Sequence, residues 1–351
     1  MRREFQSTLK KVSTSYKFYW ILGLLKCVVN QNKNEFKFAE IVVEIFCLVW
    51  YPINYYKLNF GIQDQLENII LTIKRDYHLK DDIKEHQLRD FLYSKINERD
   101  FLKYVNTLCS FVPYRFLSPW FEIRGIHDRK KNKKIIELQN SVENLPYKID
   151  ELNKKIICSE KFLEWINTDR SYVETYVLFE LLKYLQARNP NVPSIINKIF
   201  RPQSRNLTTP TKLWKGFISM NPKTKSIFSC NNLYLVNDLS IDHFLPWSFV
   251  THDQIWNLHP IEKTTNSSKN NILPSEIYTE PFILLQYDFT RYLLDQKTNI
   301  KALEDYYSLF KINRTELETI QIESFIMIFK KVYNPLIEIA ESMGYEKGWR
   351  F

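Results

Sequence analysis

The chain has 351 residues, of which 44% are apolar, 15% aromatic and 25% charged; that composition belongs to a folded protein and excludes a disordered one. Glycine occurs only six times, and neither G-x-G-x-x-G nor G-x-x-x-x-G-K-[ST] is present, so dinucleotide binding and P-loop nucleotide binding lose their sequence support. The net charge of +9 favours a polyanionic partner, and it is uneven: residues 1–199 carry 32 basic against 24 acidic groups, residues 200–279 eight against five, and residues 280–351 nine against eleven.

Arg2, Arg3, Lys10 and Lys11 precede an apolar run from Phe18 to Val29, which imitates a signal peptide. Lys17 and Lys26 bracket that run closely, no small-residue cleavage site follows, and it is too short to span a bilayer. A buried helix is expected, with no membrane partner. Phe38, Ile41, Val42, Ile45, Phe46 and Val49 recur at helical spacing, and Tyr51-Pro52 is expected to end that helix. Asp64 can cap a helix carrying Leu66, Ile69, Ile70 and Ile73. Further helices are expected over 85–96, 135–145, 160–166 and 172–186. Asn189 to Pro193 then breaks the pattern. Five cysteines at wide spacing, with no C-x-x-C, read as reduced thiols in a cytoplasmic protein.

Residues 225–262 change character. Ile227–Ser229, Leu233–Val236, Ser240–Leu245 and Asn257–Ile261 read as short strands. Helical spacing returns after Pro281, with Phe325, Ile328, Phe329 and Val332 on one face, a kink or restart of the helix at Pro335 and a C-cap at Gly344. The expected fold is mainly α with an embedded small strand-rich module. Three segments are expected: a helical N-terminal domain over 1–200, the module over 201–280, and a helical C-terminal segment over 281–351 that packs on it.

Three polar groups stand out within the module: Asp242-His243, Asn257 and Asn266. An apolar strand that holds adjacent Asp and His must satisfy both, which is costly without a purpose. The loop from Trp247 to Trp256 is long enough to return the chain, so that Asn257-Leu258-His259 pairs as a second strand and Thr264 or Thr265 starts a helix. In such a strand–loop–strand–helix unit Asp242 and Asn266 can converge on one cation.

This arrangement resembles the HNH nuclease family, the ββα-metal finger, and is most similar to the HNH domain of RNA-guided CRISPR effectors. Those domains also begin with Asp-His followed by Pro, with an Asn fourteen residues after the His and another nine residues later in an Asn-x-x-Lys context; here the intervals run from His243 to Asn257 and from Asn257 to Asn266. The likeness covers about residues 238–275. It implies a ββα-metal module in which His243 is the general base, Asp242 and Asn266 bind Mg²⁺ or Mn²⁺, and Asn257 belongs to the catalytic motif as a brace for the loop. The metal would coordinate a phosphate oxygen and stabilise the leaving 3′ oxygen. Paired cysteines bind a structural zinc in many family members. Only Cys230 lies nearby here, so the helical flanks are expected to brace the finger instead.

The resemblance implies an endonuclease that hydrolyses DNA in restriction or anti-phage defence, with a homodimer or a partner defence protein as possible associates. The alternatives are an RNA-cleaving HNH effector and a catalytically silent nucleic-acid-binding subunit. Lys269 is a candidate phosphate contact. So is the run from Arg124 to Lys134, six basic residues in eleven, with Arg129, Lys130 and Lys131 as its candidate contacts. Such runs are ordinarily solvated surface. His252 is expected in the loop and His259 at the finger's edge.

Overall fold

A computed structural model describes the chain except for residues 11, 124, 203–204 and 297–299 and the side chain of residue 300. Lys11 of the signal-like N-terminus and Arg124 of the basic run therefore lie outside the described residues. The protein is mainly helical, with 62% of its residues in helices, and small sheets lie around residues 239–274. It divides into two compact units, Met1–Pro190 with Ile195–Pro202, and Asn191–Ser194 with Gln203–Phe351.

In the first unit the apolar run forms the buried helix Tyr16–Gln31, which packs against the helix Phe38–Trp50. Gly23 makes the close approach possible. A Cβ there would lie 2.9 Å from the Ile45 side chain and 3.0 Å from the Ile41 carbonyl. Pro52 does not stop the second helix, which widens into a π-helical turn over Tyr51–Tyr55. The combined stretch Phe38–Tyr55 is long and apolar enough to cross a membrane, and 83% of it is buried inside the fold. The N-cap of the helix Leu66–Asp76 is Gln65 and not Asp64, which stands one residue earlier: Leu66 N–H donates to its Oδ1, while its Oδ2 accepts from the Ser15 backbone and hydroxyl. The helices expected over 160–166 and 172–186 are one helix, Glu160–Arg188, kinked at Asp169. The helix expected over 135–145 lies earlier, at Asp128–Leu138, so the part of the basic run from Asp128 to Lys134 is helical.

Three strands of the first unit were not anticipated. β1 (Glu35–Lys37), β2 (Tyr147–Asp150) and β3 (Lys155–Cys158) form an antiparallel sheet in the order β1-β3-β2.

The second unit contains β4 (Leu239–His243) and β5 (Leu258–Glu262), paired antiparallel, followed by the finger helix Lys263–Lys269. The strands expected at 227–229 and 233–236 are absent. A single bridge, Lys225 to Asn232, closes a turn there, and Leu233–Leu235 is a 3₁₀ turn. Glu262 ties that turn to β5, because its carboxylate accepts from Ser226, Ser229 and Asn231.

Helical flanks surround the finger. Phe244, next to the end of β4, stacks on Phe282 at 4.0 Å, and Phe329 and Tyr333 extend the same aromatic layer. Burying one such ring contributes roughly 1.5–3 kcal/mol. Gln286, within the helix Thr279–Asp295, donates to the Leu258 carbonyl and accepts from Tyr306. The helix Ile322–Ser342 runs through Pro335 without a restart, and Gly344 follows its end at φ +84°. Strand β7 (Lys347–Trp349) then pairs parallel with β6 (Leu273–Pro274) just after the finger. Residues 281–351 and the finger thus share one core.

Candidate active site

Pairing of β4 with β5 sets Asp242 opposite His259 and His243 opposite Leu258. Asp242 and His243 are adjacent and both buried, at 8% and 1% exposure. Together with Asn266 and Ser267 from the finger helix, Asn270 and Asn271 after it, and Arg205, Pro246 and Trp247, they line one cleft of about 240 Å³. The structure therefore brings Asp242, His243 and Asn266 together.

Asn266 Nδ2 donates to Ser240 Oγ at 3.0 Å, which fixes the amide and leaves Oδ1 as its free acceptor. Asn257 lies elsewhere. It is fully buried and grips one backbone residue twice: Leu245 N–H donates to Oδ1 at 2.8 Å, and Nδ2 donates to the Leu245 carbonyl at 2.9 Å. It holds the turn after β4 and does not line the cleft, so its place in the motif is that of a brace rather than a reacting group.

Lys269 corrects a sequence expectation. It is fully buried, so its amine is not on the surface to meet a phosphate. Nζ donates to the His243 carbonyl at 2.8 Å and lies 2.9 Å from Asp242 Oδ2. The second contact is an ion pair off the hydrogen-bond line, since Asp242 Oδ2 is buried without a hydrogen bond. His259 is not at the finger's edge either. It is fully buried among Phe228, Phe244 and Phe282, with Nε2 3.8 Å from Asp242 Oδ2. Burial pushes its pKa down to about 4 against the opposing pull of Asp242, so the ring is neutral near pH 7.

Sequence reasoning passed over Asp253. His243 Nε2 lies 2.9 Å from its Oδ1. Burial alone would raise the Asp253 carboxyl. The hydrogen bond and charge of His243, the charge of Arg205 and a hydrogen bond with Trp247 outweigh that and hold it below the usual carboxylate range. A ten-residue interval from His243 to Asp253 across an irregular loop has no periodicity to reveal it. Arg205 is exposed, with its guanidinium 5.5 Å from the Trp247 ring centroid. His252 is a loop residue whose ring lies 5.6 Å from Trp256.

The basic run belongs to the first unit. Arg129 and Lys130 are exposed on the first turns of the helix Asp128–Leu138, whereas Lys131 is half-buried and pairs with Asp128 at 3.2 Å.

Among the described residues no group of three or more His, Cys, Asp or Glu could hold a metal ion. The oxygen donors at the cleft include the Asp242 carboxylate, which accepts no hydrogen bond from the described residues, and the free amide oxygen of Asn266. Two hard oxygen donors fit Mg²⁺ or Mn²⁺, which take one or two protein ligands and fill the remaining positions with water and substrate phosphate. Asp242 Oδ2 is buried without a hydrogen bond, with the Lys269 ammonium 2.9 Å away as its charge partner.

No curated protein and no solved structure matches the chain. Residues 224–275, which span the bridged turn, both finger strands, the finger helix and β6, match the family described as HNH endonuclease. The chain therefore carries an HNH endonuclease domain, a family that typically uses a divalent metal and that implies a phosphodiester hydrolase.

Proposed function

We propose that this protein is a metal-dependent endonuclease that hydrolyses DNA phosphodiesters, in restriction or anti-phage defence. The observation that carries the reading is the convergence of Asp242, His243 and Asn266 on one polar cleft. Asp242 and Asn266 would hold the metal. Bound there, a divalent cation supplies charge stabilisation at the scissile phosphate. His243 takes the proton of the attacking water, whose oxygen forms the new bond to phosphorus as the bond to the departing 3′ oxygen breaks with its electron pair on that oxygen; solvent then protonates it. Arg205, at the rim, supplies positive charge for the phosphate backbone. Four buried thiols, at Cys27, Cys47, Cys109 and Cys158, fit a reducing, cytoplasmic setting.

One finger has one base and can attack one phosphodiester at a time. A single site reaches the second strand only by releasing and rebinding, so efficient double-strand cutting calls for a two-fold dimer or a partner nuclease. The test is incubation of the full chain with Mg²⁺ or Mn²⁺ and matched DNA and RNA, supercoiled plasmid included. Metal-dependent nicking of plasmid supports the reading. Cleavage of RNA alone, or no cleavage of any substrate, overturns it.

A further inference from the structure

We propose that Asp253 is a positioning residue for the hydrolysis: its carboxylate holds the His243 ring through Nε2, so that Nδ1 is the basic atom left for the attacking water. The inference deepens the reading of His243 as the general base and rests on it.

The loop is built to deliver this carboxylate. After β4, Pro246 opens the short helix Trp247–Val250, and Thr251, at φ +55°, ends it in the left-handed region and turns the chain back. Asn257 clamps the outgoing turn through Leu245, and Ile255 N–H donates to Asp305 Oδ2 at 2.8 Å, so the return is fastened as well. Between these two anchors Asp253 Oδ1 arrives 2.9 Å from His243 Nε2. Trp247, through a hydrogen bond, and Arg205, through its charge, act on the same carboxylate, and both line the cleft.

An ionised carboxylate accepts hydrogen bonds and cannot donate them. The proton in this contact therefore sits on His243 Nε2. In the neutral ring that leaves Nδ1 without a proton, and Nδ1 has no hydrogen-bond partner among the described residues. Asp253 thus does two things at once: it stops the imidazole from flipping, and it selects the tautomer whose lone pair is available. It touches neither metal nor substrate in this role, which is why it is a positioning group and not a catalytic residue. A carboxylate that orients a base histidine is worth orders of magnitude in rate where it has been removed without loss of fold.

The test uses the full chain labelled with ¹⁵N-histidine, in chelator, at a pH where the ring is neutral. A His243→Gln sample identifies the His243 signals among the six histidines. The wild type should show a protonated, pyrrole-type Nε2 and a bare, pyridine-type Nδ1. Asp253→Asn, whose amide can donate instead, should lose that signature and lower kcat by about 10²–10⁴-fold, with KM and melting temperature little changed. A wild-type ring protonated on Nδ1 overturns the proposal whether or not any variant folds. So does an Asp253→Asn enzyme that keeps the wild-type tautomer and a rate within about three-fold. Comparison with His243→Ala separates the two levels. If that variant cuts normally, the general-base reading itself fails. If it is inactive while Asp253→Asn cuts normally, only the positioning role fails.

Discussion

Lys269 Nζ lies 2.9 Å from Asp242 Oδ2 and 2.8 Å from the carbonyl of His243, so one buried ammonium fastens the finger helix to both residues of the Asp-His pair. The carboxylate offered to a metal is thus already paired with one buried ammonium, supplied by the helix that also carries Asn266.

Lys269→Met should leave Asp242 buried without its counter-charge, at a cost of about 3–5 kcal/mol. Denaturant unfolding in chelator measures it. Added Mg²⁺ should restore part of the loss, because a cation at Asp242 replaces the missing charge. Unchanged stability in chelator would show that the ion pair does not hold the finger.

His259 gives the protein an acid-sensitive core. Its pKa falls from about 6.5 to about 4 on folding, so between these values the unfolded chain binds a proton that the native chain refuses. Its contribution is complete above pH 6.5 and is lost as the pH drops towards 4, on the order of 3 kcal/mol in all. His259→Phe should flatten the unfolding free energy across that window. A wild-type pH slope in the variant would place the titrating group elsewhere.

Arg129, Lys130 and Lys133 are exposed on the helix Asp128–Leu138. If this face grips a phosphate backbone, neutralising all three should weaken DNA binding for every sequence alike and reduce the salt slope by about one per lost contact. Binding titrations at several salt concentrations measure both. An identical slope would make the run solvated surface.

What the sequence made legible was local or strictly spaced. Phe38 to Val49 shows a helical face because its burial repeats every turn, and the intervals from His243 to Asn257 to Asn266 survive because strand, loop and helix lengths fix them. The β1–β3 pairing was hidden, since Glu35 meets Ile157 across more than a hundred residues and each strand has only three or four residues. Leu233 to Val236 looked like a strand because its apolar residues run on, yet among the described residues no strand pairs with it, and Leu233–Leu235 closes as a 3₁₀ turn. Lys269 misled for another reason. A lysine at a helix end reads as solvated, and only the fold reveals that its amine points inward to Asp242. Asp253 became visible only when the loop closed.

Whether His243 is the base of a working nuclease is tested most directly by single-turnover cleavage of supercoiled plasmid with saturating Mg²⁺, comparing wild type with His243→Ala. The substitution spares Asp242 and Asn266, so folding, metal binding and DNA binding should persist while the cleavage rate falls by about 10²–10⁴-fold. A His243→Ala protein that cuts at the wild-type rate would contradict the assignment.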